Sequence, residues 1–242
     1  MIFLLDAGNT RIKWALRDGD QWRDRGALAL AEVGELRHVA AQWPGVTRAL
    51  LANVAGSALG AAITEALSLW QGRCHWFQSA PACAGLRNDY EDYRTLGCDR
   101  WAAMIGAWHR VGGACLVVNA GTAMTGDLIF PEGAGAVFRG GIILPGYDLM
   151  RQSLYRNAAQ LPLAEGHWQA QPRNTHDAIV SGCLQAMAGA VERLHRQLPP
   201  EAPCVLSGGT ADLLAPLLEM PVLRLDNLVL EGLARVAEQD AP

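Results

Sequence analysis

The sequence predicts an α/β protein of two similar lobes, each with three antiparallel strands followed by alternating helices and strands. Two observations carry that expectation. An apolar strand runs twice into a short polar, small, Gly turn. The first copy is Phe3-Leu4-Leu5-Asp6-Ala7-Gly8-Asn9-Thr10; the second is Leu116-Val117-Val118-Asn119-Ala120-Gly121-Thr122-Ala123, with Asn119 lying 113 positions after Asp6. Each turn is followed by a segment that reads as a returning strand, Arg11 to Leu16 and Met124 to Ile129. The second observation is size: 242 residues, 50% apolar and 18% charged, suffice for one large or two small domains with their own cores. The expected division puts one lobe at 1–112 and the other at 113–242, with a nucleotide cleft between them.

Taken in order, strands are expected at Ile2–Asp6, Ile12–Arg17 and Trp22–Leu30, the last two joined by the turn Asp18-Gly19-Asp20. Ala31–Trp43 reads as a helix stopped by Pro44-Gly45. Arg48–Asn53 follows as a strand, Ser57–Gln71 as a helix with Ser57 as its cap, and His75–Gln78 as a strand. Ser79–Gly97 reads as irregular and Asp99–Val111 as a helix. The second half repeats the scheme: strands Cys115–Asn119, Met124–Ile129 and Gly135–Ile143, then helices Tyr147–Asn157 and Thr175–Gln197. Strand Cys204–Ser207, helix Thr210–Leu218, strand Val222–Leu225 and helix Leu228–Glu238 close it.

Composition narrows the function classes. A net charge of -4 and a pI near 5.9 argue against a nucleic-acid groove or an anionic membrane surface as partner. The apolar stretch Ile2 to Leu5 is too short for a signal peptide, and no 18-residue apolar run could span a bilayer. Six cysteines (74, 83, 98, 115, 183, 204) form no CxxC pair, and the histidines, His167 and His176 included, lack ligand spacing. A cytoplasmic protein with reduced thiols and no structural metal is expected.

Gly turns of this kind expose backbone N–H groups and small hydroxyls that can hold phosphate oxygens. No GxGxxG or GxxxxGK[ST] follows any strand, so the Rossmann and P-loop cradles are absent. Lys13 is the only lysine among 20 basic residues. A GC-rich genome accounts for the arginine skew. The place of the survivor, seven residues after Asp6, suits a compact charge at a tight phosphate site, with a solvated face as the other reading.

The lobe order matches the ribonuclease H-like fold of the actin, hexokinase and acetate-kinase superfamily. Further motifs lie along the chain: Asn88-Asp89-Tyr90, Leu96-Gly97-Cys98-Asp99-Arg100-Trp101-Ala102, Gly140 to Gly146, Asn174-Thr175 and Leu206-Ser207-Gly208-Gly209. With Asp6 to Lys13 and Gly121 to Asp127, this ordered set (DxGNTxxK, LGxDRWA, GTAxTxD, GGxxxPG) resembles the type III pantothenate kinases from Ile2 to about Leu233.

The resemblance implies ATP-dependent phosphorylation of pantothenate to 4'-phosphopantothenate, the first step of coenzyme A biosynthesis. It implies that Asp6, Ala7, Gly8, Asn9, Thr10, Arg11, Ile12 and Lys13 form the first phosphate hairpin, with Asp6 organising Mg²⁺, and that Thr122 is the matching contact in the second. Gly208 and Gly209 fall at the adenosine-side turn, which also reads as a plain helix entry. Tyr90, Gly97, Cys98, Asp99 and Arg100 resemble the pantothenate pocket, and Thr175 a substrate contact made across a homodimer interface. Asp99 matches the group that accepts the hydroxyl proton; an Asp there also reads as the cap of its own helix, and the two roles are compatible. The family's monovalent cation, K⁺ or NH₄⁺, implies a ligand at position 119, but this chain has Asn119 where the family carries Asp. Asp127 is the nearest carboxylate in sequence that could replace that charge. Two other classes share the hairpins: another small-molecule kinase of the superfamily, and a non-enzymatic nucleotide-binding accessory factor in transcription.

Overall fold

The structure is a computed structural model and describes residues 1–239. The chain opens with β1 (Ile2–Ala7), β2 (Arg11–Asp18), β3 (Gln21–Ala29), α1 (Leu36–Gln42), β4 (Arg48–Asn53), α2 (Ser57–Ala66) and β5 (Cys74–Trp76). Then come β6 (Ala82–Cys83), β7 (Leu86–Asn88), α3 (Cys98–Val111), β8 (Cys115–Ala120), β9 (Ala123–Glu132) and β10 (Gly135–Pro145). It closes with α4 (Tyr147–Asn157), α5 (Thr175–His195), β11 (Cys204–Ser207), α6 (Ala211–Leu214), β12 (Val222–Arg224) and α7 (Leu228–Gln239).

Two compact units result. The first takes 1–110, 132–138 and the segment from Asn227; the second takes 111–131 and 139–226. In the first, the strand order is β3-β2-β1-β4-β5, with β1–β2 and β2–β3 antiparallel and β1–β4 and β4–β5 parallel. In the second, the order β10-β9-β8-β11-β12 repeats that plan, with β8–β9 antiparallel and β8–β11 and β11–β12 parallel. The two-lobed α/β expectation is met. Each sheet has its own core: Phe3, Leu5, Ile12, Leu16, Leu51 and Trp70 in the first, and Leu116, Val118, Met124, Leu184, Met187 and Leu206 in the second.

The last helix joins the first unit although it follows the second in sequence. Its apolar face buries Leu230, Leu233, Ala234 and Val236 and packs on β1, β2 and β4. Gly232 lies against the Ala102 carbonyl of α3, and a Cβ at Gly106 would come 2.8 Å from the Leu228 carbonyl. Any side chain at either glycine overpacks the contact, at a cost of about 1–3 kcal/mol.

Several element expectations are corrected. Residues 30–35 form a 3-10 turn instead of opening the first helix, because Gly34 disfavours the α-helix and Glu32 reaches back to the Ala29 N–H at 2.9 Å. Gly56, at φ 96°, precedes α2 where Ser57 was expected as the cap; Ser57 is the first helical residue. That helix ends at Ala66 and tightens to a 3-10 turn at 68–70, which buries Trp70. The helix expected at Thr210–Leu218 stops as an α-helix at Leu214 because Pro216 has no N–H to continue it. Within the stretch read as irregular, Leu86–Asn88 pairs in parallel with Ala136–Phe138.

Candidate active site

The first hairpin has its polar residues where two strand ends meet. Asp6 sits near the end of β1, opposite Lys13 on β2 and Ala52 on β4. Ala7 and Ile12 are buried and anchor the turn, while Asn9, Thr10 and Arg11 are exposed. The Gly8 N–H closes the loop on the Arg11 carbonyl at 3.1 Å.

Asp99 lies in the first turn of α3, and its Oδ1 accepts the Arg100 N–H at 2.8 Å. The helix begins at Cys98, so Asp99 is inside the first turn and not its cap, yet it satisfies a first-turn donor as a cap would. A Cβ at Gly97 would come 2.6 Å from Asp99 Oδ1, so a side chain there would displace that carboxylate. Cys98 donates its thiol to the Asn53 carbonyl at 3.7 Å. Arg100, 7% exposed, donates from Nη1 to the Tyr90 hydroxyl at 3.2 Å and lies over the Tyr90 ring at 5.7 Å. Tyr90 packs on Phe138 at 5.1 Å.

Electrostatics tie these residues into one cluster. Burial, then the nearby Asp99 carboxylate, push the Asp6 carboxyl up to about 7 against the opposing pull of Lys13. Asp99 is also raised, by burial, with the Arg100 N–H and charge holding it back. Two half-buried carboxylates lie in one neighbourhood with one lysine beside them, an arrangement that favours a cation and gives Asp6 more proton affinity. Burial pushes the Cys98 thiol up to about 11, so it stays protonated and acts as a donor, not a nucleophile. The sequence reading gave Asn53 no role. What holds the thiol is its backbone carbonyl, which leaves no mark in a sequence.

In the second unit, the register places Asn119 between Thr125 on β9 and Ser207 on β11, on one face of the sheet. Thr125 and Ser207 are 9% and 6% exposed. Asp127, 1% exposed, lies on the same face two residues along, its carboxylate against the backbone of Gly141. The Gly121 N–H bonds the Ala123 carbonyl at 3.1 Å, and Thr122 is exposed, its carbonyl held by the Gly146 N–H at 2.9 Å. Gly208, at φ 105°, lies against the Ala120 backbone where no side chain fits, and the Thr210 hydroxyl donates to the Ala120 carbonyl at 2.8 Å. Thr175 opens α5 behind Asn174, whose side chain caps the helix by accepting the Asp177 N–H at 2.9 Å. Thr175 lines a groove of about 900 Å³ with Met150, Leu154, Ala178, Ile179 and Ala186. Among the described residues no cluster of three or more His, Cys, Asp or Glu could hold a metal, and no helix is long and apolar enough to cross a membrane.

This repeated sheet, with a small-residue turn after the first strand of each copy, defines the two-lobed fold of the actin-like nucleotide-binding proteins. Solved structures share it at low identity. MreB5 of Spiroplasma citri bound to ADP superposes with a TM-score of 0.51 at 11% identity, covering 99% of this chain and 98% of that one. A Sinorhizobium meliloti protein provisionally named a 2-dehydro-3-deoxygalactonokinase reaches 0.69 at 13% identity, with 100% of both chains covered. A Campylobacter jejuni protein assigned to the Baf family of transcriptional activators reaches 0.63 at 19%, covering 98% of each. Sequence is more specific than fold here. The chain belongs to the type III pantothenate kinase family, whose sequence model matches residues 2–197. A type III pantothenate kinase of Aromatoleum aromaticum is 52% identical over 243 residues, covering 100% of this chain and 99% of the relative. One from Dechloromonas aromatica is 45% identical over 238 residues, covering 98% and 99%.

Proposed function

We propose that this chain transfers the γ-phosphoryl group of ATP to the primary hydroxyl of pantothenate, giving 4'-phosphopantothenate for coenzyme A biosynthesis. Family membership supports the reaction. The observation that carries the mechanism is the half-buried pair Asp6 and Asp99 within one unit, where the Asp99 charge helps hold the Asp6 carboxyl protonated against Lys13. Asp99 is the base. Its carboxylate is held by the Arg100 N–H at 2.8 Å, and burial raises its proton affinity toward that of a useful acceptor. It takes the hydroxyl proton as the oxygen attacks in line. Arg100, oriented by Tyr90, binds the substrate carboxylate, and Gly97 and Cys98 shape the pocket wall. The backbone and hydroxyls of Ala7 to Thr10, with Arg11, Ile12 and Lys13, form the phosphate grip of the first hairpin, and Thr122 serves the second.

The Asp6 neighbourhood fits the Mg²⁺ that accompanies ATP, because a half-buried carboxylate pushed up to about 7 gains from a nearby cation. Held there by Asp6, Mg²⁺ would supply positive charge to offset the negative charge building on the transferring phosphoryl group. A monovalent cation, K⁺ or NH₄⁺, fits Asn119 less well. The amide and the flanking hydroxyls of Thr125 and Ser207 supply oxygen but no charge, and the nearest carboxylate on that face, Asp127, packs close to Gly141.

The exposed face of α5 supports a homodimer. Ile179, Met187, Val191 and Leu194 face their own core, while Ala178 and Ala186 line the groove beside Thr175. The family resemblance implies a second copy seated there, with Thr175 completing its partner's pocket. Incubation with ATP, Mg²⁺ and pantothenate, with mass detection of 4'-phosphopantothenate, tests the reaction. ATP turnover only with another alcohol, or none with any, rejects it. Sedimentation of an active monomer rejects the shared pocket.

A further inference from the structure

Asn88 belongs to a motif that the proposed mechanism leaves without a role, yet its environment is built. It ends β7 and is 8% exposed. Its Oδ1 accepts the Tyr90 N–H at 3.2 Å, and its Nδ2 donates to the Ala80 carbonyl at 3.3 Å. The two loops it joins lead to the site by separate routes. Tyr90 leads through its hydroxyl to Arg100. Ala80 follows Ser79, whose hydroxyl donates to the Leu96 carbonyl at 2.8 Å, one residue before Gly97 and three before Asp99. The backbone on both sides is pinned as well: the Asn88 N–H bonds the Pro81 carbonyl at 2.8 Å and the Asp89 N–H bonds the Phe138 carbonyl at 3.1 Å.

We infer that Asn88 is the positioning residue of the acceptor-substrate pocket: it fixes the Tyr90 turn to the segment that holds the start of α3, and so sets the Tyr90–Arg100 pair at its working distance from Asp99. This rests on the proposed pantothenate pocket. A buried amide that fills both its acceptor and its donor is hard to replace, since each lost partner leaves a buried polar group unsatisfied. The loss would fall on ground-state binding of the acceptor and not on ATP, because none of these contacts touches the first hairpin.

The test is Asn88→Ala in the full-length chain, with ATP and pantothenate varied independently. The KM for pantothenate should rise about tenfold, with the KM for ATP within about twofold of wild type. Instability alone cannot mimic this split, because a smaller folded fraction lowers the apparent turnover and leaves KM unchanged. In a Tyr90→Ala background, Asn88→Ala should add less than about twofold, since the residue through which it acts is gone. If the Ala variant does not fold, Asn88→Asp keeps the acceptor for the Tyr90 N–H and loses the donor. Its pantothenate KM should rise by about threefold, again with ATP unaffected. Equal changes in both KM values, no change in either, or full additivity with Tyr90→Ala overturns the inference. A wild-type chain inactive on pantothenate would instead overturn the pocket itself, before any variant is compared.

Discussion

The two hairpins share a fold plan and differ in charge and in length. In the first, four residues separate the paired Ala7 and Ile12, so Asp6 faces Lys13; in the second, three separate Ala120 and Met124, so Asn119 faces Thr125. One missing loop residue puts Thr125 in the slot that Lys13 occupies in the other copy. The first copy therefore sets a carboxylate opposite an ammonium-bearing side chain and the second an amide opposite a hydroxyl. Asp99 adds a second carboxylate to the first copy, while the second has its own carboxylate, Asp127, turned to Gly141. A one-residue change in loop length and different side chains thus give the same strand plan two different polar rows.

The sharpest way to break that contrast is at Asp99. Asp99→Asn preserves shape and the carbonyl that accepts the Arg100 N–H but cannot take a proton. Turnover should fall at least ~10²-fold with the melting temperature little changed. Near-normal turnover in the folded variant would remove Asp99 as base. Lys13→Arg is the next largest: charge is kept, but the planar fork replaces a compact ammonium opposite Asp6. The KM for ATP should rise about tenfold. An unchanged value would leave Lys13 as a survivor of codon bias.

The hairpins themselves were legible because apolar strands and Gly turns are local signals, and both three-strand openings appear at their expected places. What a local signal cannot carry is partnership. The apolar spacing of Leu228–Glu238 marks a helix but does not say that it covers β1, β2 and β4. The pairing of Leu86–Asn88 with Ala136–Phe138 joins segments too short and too distant to be read. The one-residue difference between loops, which puts Thr125 and not Gly126 opposite Asn119, needs the register. In the candidate site, Asp99 and Arg100 were reached through motif resemblance. The effect of Asp99 on Asp6, and the Cys98 contact with the Asn53 carbonyl, depend on burial and backbone atoms.

Stability sharpens the contrast from the other side. The Asp6 carboxyl stands near 7 in the folded chain against an ordinary value of 3.8. Between those values the folded chain keeps a proton that the unfolded chain has lost. The group's contribution is therefore complete below about pH 4 and disappears as pH climbs through about 7. Without nucleotide or metal, Asp6→Asn should melt higher than wild type at pH 8, by several degrees at ~2–4 °C per kcal/mol, and match it at pH 4. A melting difference that does not grow with pH would mean that Asp6 is solvated and uncoupled from Asp99. No comparable slope is expected from Asn119→Ala, since an amide has no proton to exchange.

The smallest effect concerns the charge the second hairpin lacks. With Asn119 flanked by Thr125 and Ser207, a hard monovalent cation would meet neutral oxygens only. K⁺ should then activate weakly, or only at high concentration, and Asn119→Asp should lower the half-activating concentration by a few-fold, because a formal charge strengthens oxygen ligation of such an ion. The competing source of charge is Asp127, two residues from Thr125 on the same face. Its carboxylate lies against Gly141, where a Cβ would collide with it, so swinging toward Asn119 would forfeit a close-packed position. If it nonetheless serves the cation, Asn119→Asp puts two anions side by side in a buried row and gains nothing, and Asp127→Asn would abolish the K⁺ response. Titration of rate against KCl in wild type and both variants, at constant ionic strength with a large organic cation, separates the cases. Superimposable curves for wild type and Asn119→Asp would show that position 119 is not a cation ligand.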